Sequence, residues 1–292
     1  MVRMIRLSKA QDEIFGNPAR FKVVVAGRRF GKTVLALCTL LHSSWEKAGS
    51  INWYTAPTYR QAKQIAWTML KSFTDASWIA SRNETDLSLT LINGSIIALR
   101  GADNYDSLRG VGLDALVLDE YADMAAEVWT EVLRPALSDK LGSALFIGTP
   151  AGFNHLYDLW IEADSKPDWK AWQFTTADGG NVPPEELEAA RLDLDERTYN
   201  QEYLASFESL TGRVYYEFDR HLNVSADLID TGAELLVGMD FNIAPMSAVI
   251  GIKAGSDQLH ILDEIVIMNG NTELMCDAIN QRYPNRRVLV YP

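Results

Sequence analysis

Residues 21–33 read FKVVVAGRRFGKT. The first six form a short, β-branched apolar run, the pattern of a buried strand. From Lys32 to Glu46 the apolar residues Val34, Leu35, Leu37, Cys38, Leu40 and Leu41 give one apolar helical face. A strand that passes through a glycine-containing turn into a helix builds a phosphate-binding loop. Residues 26–33 fit GxxxxGK[ST] except that Ala26 stands in the first position, and Gly27 directly after it is expected to supply the backbone freedom. In such a loop the N–H groups of Gly27, Arg28, Arg29, Phe30 and Gly31 and of the helix start point at a polyphosphate, where the helix dipole favours an anion. Lys32 then supplies a point charge to the β and γ oxygens, and Thr33 a hydroxyl to Mg²⁺.

Working outward, residues 51–56 and 144–147 read as further buried strands, and residues 115–118 as another that ends in Asp119-Glu120. An apolar strand ending in two acids beside a lysine loop is what nucleoside triphosphate hydrolysis needs. Asp119 would hold Mg²⁺ through a water, and Glu120 would orient or deprotonate the attacking water. Gly148-Thr149-Pro150 follows a strand, so that the Thr149 hydroxyl can sense the γ-phosphate. Gln11, fifteen residues before the loop, is a candidate reader of the adenine edge, although a solvated glutamine fits equally well. Arg28, Arg29 and Arg109 are the candidates for stabilising charge on the transferred phosphoryl group, an effect of about 10³–10⁵ in rate.

Residues 59–73 read as a helix, and residues 87–92 and 95–99 flank Asn93-Gly94 as a hairpin with a two-residue type I′ turn. Strands alternating with helices predict an α/β fold with a doubly wound, mostly parallel sheet. At residues 175–184, TTADGGNVPP breaks the pattern, and a charged helix is expected over 185–207. After Gly212 the order is β-β-β-α-β, with strands at 235–241, 247–253, 259–268 and 287–291 and a helix at 272–283.

The 292 residues are 47% hydrophobic and 23% charged, enough for a full-sized core. No apolar run approaches the roughly 20 residues of a membrane span, and the first fifteen residues do not resemble a secretory signal. Cys38 and Cys276 stand far apart, outside any CxxC pattern, which argues against a disulfide scaffold and for a reducing compartment. His42, His155, His221 and His260 show no metal-ligand spacing, and no GxSxG elbow is present. The net charge of −12 is uneven: residues 1–113 carry 15 Lys+Arg against 8 Asp+Glu, and the remainder 12 against 31. A locally basic first part is compatible with a phosphate-bearing partner.

The loop AGRRFGKT, TAPTYRQA at 55–62, the run INGSIIALRG…SLRG…LDALVLDE, GTP at 148–150, ERTYNQEYLASF ending at Phe207 and GRVYYEF at 212–218 together resemble the large terminase subunit of tailed bacteriophages. The resemblance implies a RecA-like P-loop (ASCE) ATPase domain over 1–177, a helical linker or lid over 178–212 and part of a ribonuclease H-like nuclease over 213–292. It implies ATP and Mg²⁺ at Gln11, Ala26–Thr33, Asp119, Glu120 and Thr149. Arg109 matches an arginine presented to a neighbouring subunit, and Arg28 or Arg29 the arginine inside the loop. Implied partners are double-stranded viral DNA, the portal protein, the small terminase subunit and further copies of the chain in a ring, with a monomer in isolation. The implied place is the host cytoplasm and, transiently, the procapsid portal vertex. Asp240 matches the first metal-binding aspartate of the nuclease, which takes Mg²⁺ or Mn²⁺. The acids expected after the fourth strand do not occur before Pro292, so the chain is expected to be a shortened form without nuclease activity. Asp263 and Glu264 are further acids, facing either the metals or solvent. A superfamily 2-like helicase or other DNA-dependent motor ATPase shares both phosphate-site elements, but a second RecA-like domain does not fit the β-β-β-α-β order.

Overall fold

The computed structural model describes residues 5–208, 223–225, 230, 232–242, 244–255 and 258–291. GRVYYEF at 212–218 lies outside the described residues. The chain divides into two compact units, Met1–Gly212 and Arg213–Pro292.

The first unit is built on strands β1 (Phe21–Ala26), β2 (Ile51–Ala56), β3 (Ile79–Asn83), β4 (Ser88–Leu91), β5 (Ile96–Gly101), β6 (Ala115–Asp119), β7 (Ser143–Gly148) and β8 (Trp169–Phe174). They form one sheet in the order β3-β4-β5-β2-β6-β7-β1-β8. Strands β5, β2, β6, β7, β1 and β8 run parallel, and β3 and β4 add an antiparallel edge. The central strands are apolar on both faces because both are covered, as parallel sheets require. On one face Val24, Ala26, Val117, Leu145 and Ile147 pack with Leu35, Leu37 and Leu40 of the helix Lys32–Glu46. On the other, Val23, Val25, Leu116, Leu118 and Phe146 pack with Trp129, Leu133 and Leu156. The two-residue period of β6 therefore puts Asp119 on the same face as Val117, under the helix that Lys32 begins.

Several elements differ from the sequence expectation. Only Gly94 of the Asn93-Gly94 pair has positive φ, at 83°, so the type I′ turn is not formed. Instead Gly94 N–H closes onto Leu91 O at 2.9 Å. The Asn93 side chain donates to Ser44 O at 2.8 Å and accepts from Ser95 N–H, which pins the loop to the helix Lys32–Glu46. The charged helix over 185–207 is two helices, Pro184–Asp193 and Glu196–Glu202. Leu194 turns extended, and Asp195 starts the second helix by accepting from Thr198 N–H at 3.0 Å. The helix over 59–73 passes through a π segment, Lys63–Trp67. Strands β3 and β8 and the helices Lys9–Gly16 and His155–Ala163 are additions to the expected elements.

The second unit contains β9 (Leu235–Asp240), β10 (Met246–Lys253), β11 (Leu259–Ile267) and β12 (Val288–Tyr291), in the order β11-β10-β9-β12. The first three are antiparallel neighbours, and β12 runs parallel to β9. Met275 and Ile279 of the helix Thr272–Arg282 cover one face, against Leu235, Val237, Ala248 and Ile250.

Candidate phosphate-binding site

The loop after β1 is held from outside itself. Gly27 N–H donates to Phe174 O at 3.0 Å and Arg28 N–H to Glu202 O at 2.7 Å. Thr176 Oγ1 donates to Arg28 O at 2.7 Å, and Asn181 Nδ2 contacts the carbonyls of Arg29 and Phe30 at 3.1 and 3.2 Å. Gln11 Nε2 donates to Phe30 O and Gly31 O at 3.2 and 3.0 Å. Phe30 is buried and stacks on Phe174. Arg29, at φ 63°, is strained, and Gly31, at φ 98°, takes a conformation that suits glycine. Gly31 caps the helix Lys32–Glu46 with no side-chain hydrogen bond, leaving its first N–H groups to a ligand.

Gly27 serves differently from expectation. Its φ is not positive, and what excludes a side chain is proximity. A Cβ there would lie 2.5 Å from Thr176 Oγ1 and 2.6 Å from Tyr203 O.

Lys32 is 8% exposed. Its Nζ donates to Ala26 O at 2.8 Å, Gly27 O at 3.3 Å and Thr149 Oγ1 at 2.8 Å, and lies 4.0 Å from Glu120 Oε1. Burial lowers its pKa, against the opposing pull of Glu120 and Asp119. Asp119, at the tip of β6, is buried. Burial first, and then the neighbouring Glu120 charge, push its carboxyl up to about 6. Its Oδ2 accepts from the Tyr54 hydroxyl and, at 3.4 Å, from Thr33 Oγ1, while Oδ1 accepts from Glu120 N–H at 3.0 Å. Glu120 itself is left-handed, at φ 52° and ψ 48°. A non-glycine residue held there costs about 1–3 kcal/mol, which is tolerated where it aims a side chain. Its Oε2 accepts from Thr149 N–H at 3.2 Å. Lys32, Thr33, Asp119, Glu120 and Thr149 thus converge at one end of the parallel sheet.

The other expected residues stand elsewhere or are otherwise engaged. Both ends of the Gln11 amide are used, because Oε1 accepts from Ser8 N–H at 2.8 Å. Gln11 is 3% exposed and holds the loop, so it is not the solvated glutamine that stands as the alternative to an adenine contact. Arg28 is exposed and ion-paired with Glu202, which raises its pKa. Arg29 is also exposed. Arg109 does not join the loop of its own chain. It pairs with Asp106 at 3.0 Å and Glu131 at 3.6 Å in a separate cleft lined by Val111, Val132 and Asp139. Tyr54, Thr176, Asn181 and Glu202 join the site without any motif to announce them. A hydroxyl two residues from Ala56 on a buried strand is the available signal for Tyr54; the segment TTADGGN reads as a plain break.

The donor set fits a hard divalent cation. Mg²⁺ keeps several waters and takes one or two carboxylates together with substrate phosphates, which Asp119 and the Thr33 hydroxyl satisfy. In the second unit, Asp240 ends β9 on the face away from the helix Thr272–Arg282, its carboxylate bonded to Asn242. Asp263 faces the helix instead, paired with Arg282 at 2.7 Å. Glu264 pairs in register with Val249, which pairs with Gly238, so it shares the Asp240 face. It lies two strands across and two residues along from Asp240, about 12 Å at the usual spacings. Among the described residues no group of three His, Cys, Asp or Glu side chains is placed to hold a metal.

The family model for the N-terminal part of the T4-like terminase large subunit matches residues 23–221. The chain belongs to the terminase large subunit family. It is 28% identical over 261 residues to the large terminase subunit of Escherichia phage T5, across 84% of this chain and 59% of that protein. It is 27% identical over 246 residues to that of Thermus phage G20c, across 72% and 50%. The terminase chain thus spans half to three-fifths of the length of these relatives. The ATPase domain of the Thermus phage P74-26 large terminase superposes with a TM-score of 0.63 at 26% identity, over 70% of this chain and 94% of that one. The large terminase of a thermophilic bacteriophage, solved in complex with ADP, gives a TM-score of 0.63 at 16% identity over 98% of this chain and 78% of that one. The mostly parallel sheet is the fold of these terminase ATPase structures.

Proposed function

We propose that the chain binds ATP with Mg²⁺ over the Lys32 loop and hydrolyses it, and that the whole protein uses this hydrolysis to move double-stranded viral DNA into a procapsid. The observation that carries the reading is the meeting of Lys32, Thr33, Asp119, Glu120 and Thr149 around one uncapped helix start. Lys32 leaves the carbonyls of Ala26 and Gly27 for the β and γ oxygens of the nucleotide. Glu120 orients a water in line with the γ-phosphorus and takes its proton. The new P–O bond forms as the bond to the bridging oxygen breaks, releasing ADP and phosphate. Thr33 and Asp119 would hold Mg²⁺, which would supply charge neutralisation at the phosphates. Thr149, bonded to both Lys32 and Glu120, links the nucleotide to the segment after β7.

The test is steady-state ATP hydrolysis by the parent and by Lys32→Ala. Loss of one preorganised charge-stabilising donor costs on the order of 10²–10³ in rate. Hydrolysis by Lys32→Ala at the parent rate would sink the assignment. The Arg109 cleft, apart from its own chain's loop, supports a role toward a neighbouring copy in a ring on the portal, in the host cytoplasm. An isolated monomer then hydrolyses slowly. The second unit's largely antiparallel sheet, unlike a second RecA-like domain, favours a packaging motor over a helicase. We assign it to the ribonuclease H-like nuclease that cuts DNA in the whole protein with Mg²⁺ or Mn²⁺, with Asp240 as one metal ligand. Among the described residues no three carboxylates cluster to hold two metals. Supercoiled plasmid should therefore stay intact with this chain and Mn²⁺, and cutting abolished by Asp240→Ala would refute that. Portal protein and the small terminase subunit are the proposed partners of the full assembly.

A further inference from the structure

Tyr54 belongs to no motif that the reaction uses. It lies on β2, fully buried, in the cluster with Leu35, Val117 and Ile147 under the helix Lys32–Glu46. Its Cα pairs in register with Val117, two residues short of Asp119, and its hydroxyl reaches across to Asp119 Oδ2. A phenylalanine would fill the same apolar volume; a buried hydroxyl costs free energy unless it finds a partner. Its partner here is the oxygen that also receives Thr33 Oγ1, while Glu120 N–H holds the other. Each Asp119 oxygen is thereby oriented by a group fixed in the sheet or in the turn after it.

We propose that Tyr54 is a positioning residue, whose hydroxyl fixes the Asp119 carboxylate in the orientation that serves a divalent cation beside Thr33. The inference rests on the nucleotide reading above and goes further by assigning part of the metal affinity to a residue that does not ligate. Outer partners of ligating carboxylates typically contribute 10–100-fold to metal affinity. A merely structural hydroxyl, by contrast, changes stability and leaves the metal alone.

The experiment measures Mn²⁺ binding to the 292-residue chain in the presence of ADP by electron paramagnetic resonance, which needs no turnover. Tyr54→Phe should weaken Mn²⁺ binding about 10–100-fold, while ADP binding in EDTA stays within about twofold of the parent. In an Asp119→Asn background the same substitution should change Mn²⁺ binding by less than about twofold, because the anionic ligand that the hydroxyl orients is gone. Tyr54→Phe with parent Mn²⁺ affinity overturns the proposal, and so does an equal loss in both backgrounds. A Tyr54→Phe chain that fails to fold also overturns it, since the hydroxyl is then structural. If the parent binds no Mn²⁺ with ADP, the nucleotide reading itself has failed, a result distinct from these.

Discussion

Gly27→Ala adds one methyl group where the loop passes closest to its supports. The new Cβ would stand 2.5 Å from Thr176 Oγ1, 2.6 Å from Tyr203 O and 2.8 Å from Thr176 N. Two of these are backbone atoms, and they hydrogen-bond to each other at 2.8 Å. No rotamer change relieves the overlap; the segment after β8 or the end of the helix Glu196–Glu202 has to move. Overpacking of this kind costs about 1–3 kcal/mol, and loosening the Thr176–Tyr203 hydrogen bond adds roughly 0.5–1.5 kcal/mol. The expected loss is about 2–4 kcal/mol, or a fall in Tm of roughly 4–16 °C for a unit of this size. Gly16→Ala is the control, because nothing lies within 4 Å of its Cβ and its φ is not positive. It should be neutral or stabilise by up to about 1 kcal/mol. All eight tryptophans lie in the first unit, between residues 45 and 172, so urea unfolding followed by tryptophan fluorescence reports that unit alone. Gly27→Ala within about 0.5 kcal/mol of the parent at unchanged m would refute the close-approach argument.

Asp114 accepts from Lys47 Nζ at 2.6 Å, Lys140 Nζ at 3.0 Å and Ile51 N–H at 2.8 Å. Its burial, which raises the pKa, is outweighed by these partners, and its pKa is lowered in the folded chain. Its contribution is therefore complete above the unfolded value near 3.9 and is lost as pH falls through the lower folded value. Asp114→Asn should cost about 1–3 kcal/mol at pH 7, less than a fully buried pair because Lys47 is solvated, and should flatten the acid limb of urea midpoints measured from pH 7 to 3. Parallel acid limbs for parent and variant would refute it. Glu202→Gln removes a pair whose arginine is largely exposed, so unfolding should shift by less than about 1 kcal/mol. Asn181→Ala removes two hydrogen bonds, leaving the Arg29 carbonyl without this donor and the Phe30 carbonyl to Gln11 alone, and should weaken ADP binding in calorimetry by about 5–30-fold, at roughly 0.5–1 kcal/mol per lost hydrogen bond; unchanged affinity would show that the loop keeps its shape without that tie.

The legible parts of the site are those written in short local patterns. FKVVVAGRRFGKT states strand, turn and helix in thirteen consecutive residues, and ALVLDE states a covered strand with acids at its tip. Period-two alternation then assigns Asp119 to the Val117 face with no further information. The hairpin turn is not legible, because the Asn-Gly preference concerns isolated two-residue loops, whereas Asn93 is drawn to Ser44 O, 49 residues away in sequence. The split at Leu194–Asp195 is hidden because charged helix formers continue on both sides, and Asp195 reads as one more of them until its side chain is seen capping Thr198. Thr176, Asn181 and Glu202 act on a loop roughly 150 to 170 residues earlier, a separation that no local pattern records.

Those distant contacts bear on how a nucleotide bound as proposed would be felt beyond the loop. The loop backbone is bonded at Gly27 to the end of β8, at Arg28 to both Thr176 and Glu202, and at Arg29 and Phe30 to Asn181. These ties all come from residues 174–202, the stretch just after the parallel sheet is complete. A ligand shifts a conformational equilibrium only by its differential affinity for the two states. If the proposed nucleotide binds the loop with Arg29 and Gly31 at positive φ, it would favour the arrangement of residues 174–202 that holds them there. The Arg28–Glu202 ion pair, being exposed, adds little to the stability of this arrangement. Its value lies in geometry, since it is a charged tie between the loop and the helix Glu196–Glu202, and under the proposed nucleotide reading a phosphate oxygen would compete for the same guanidinium.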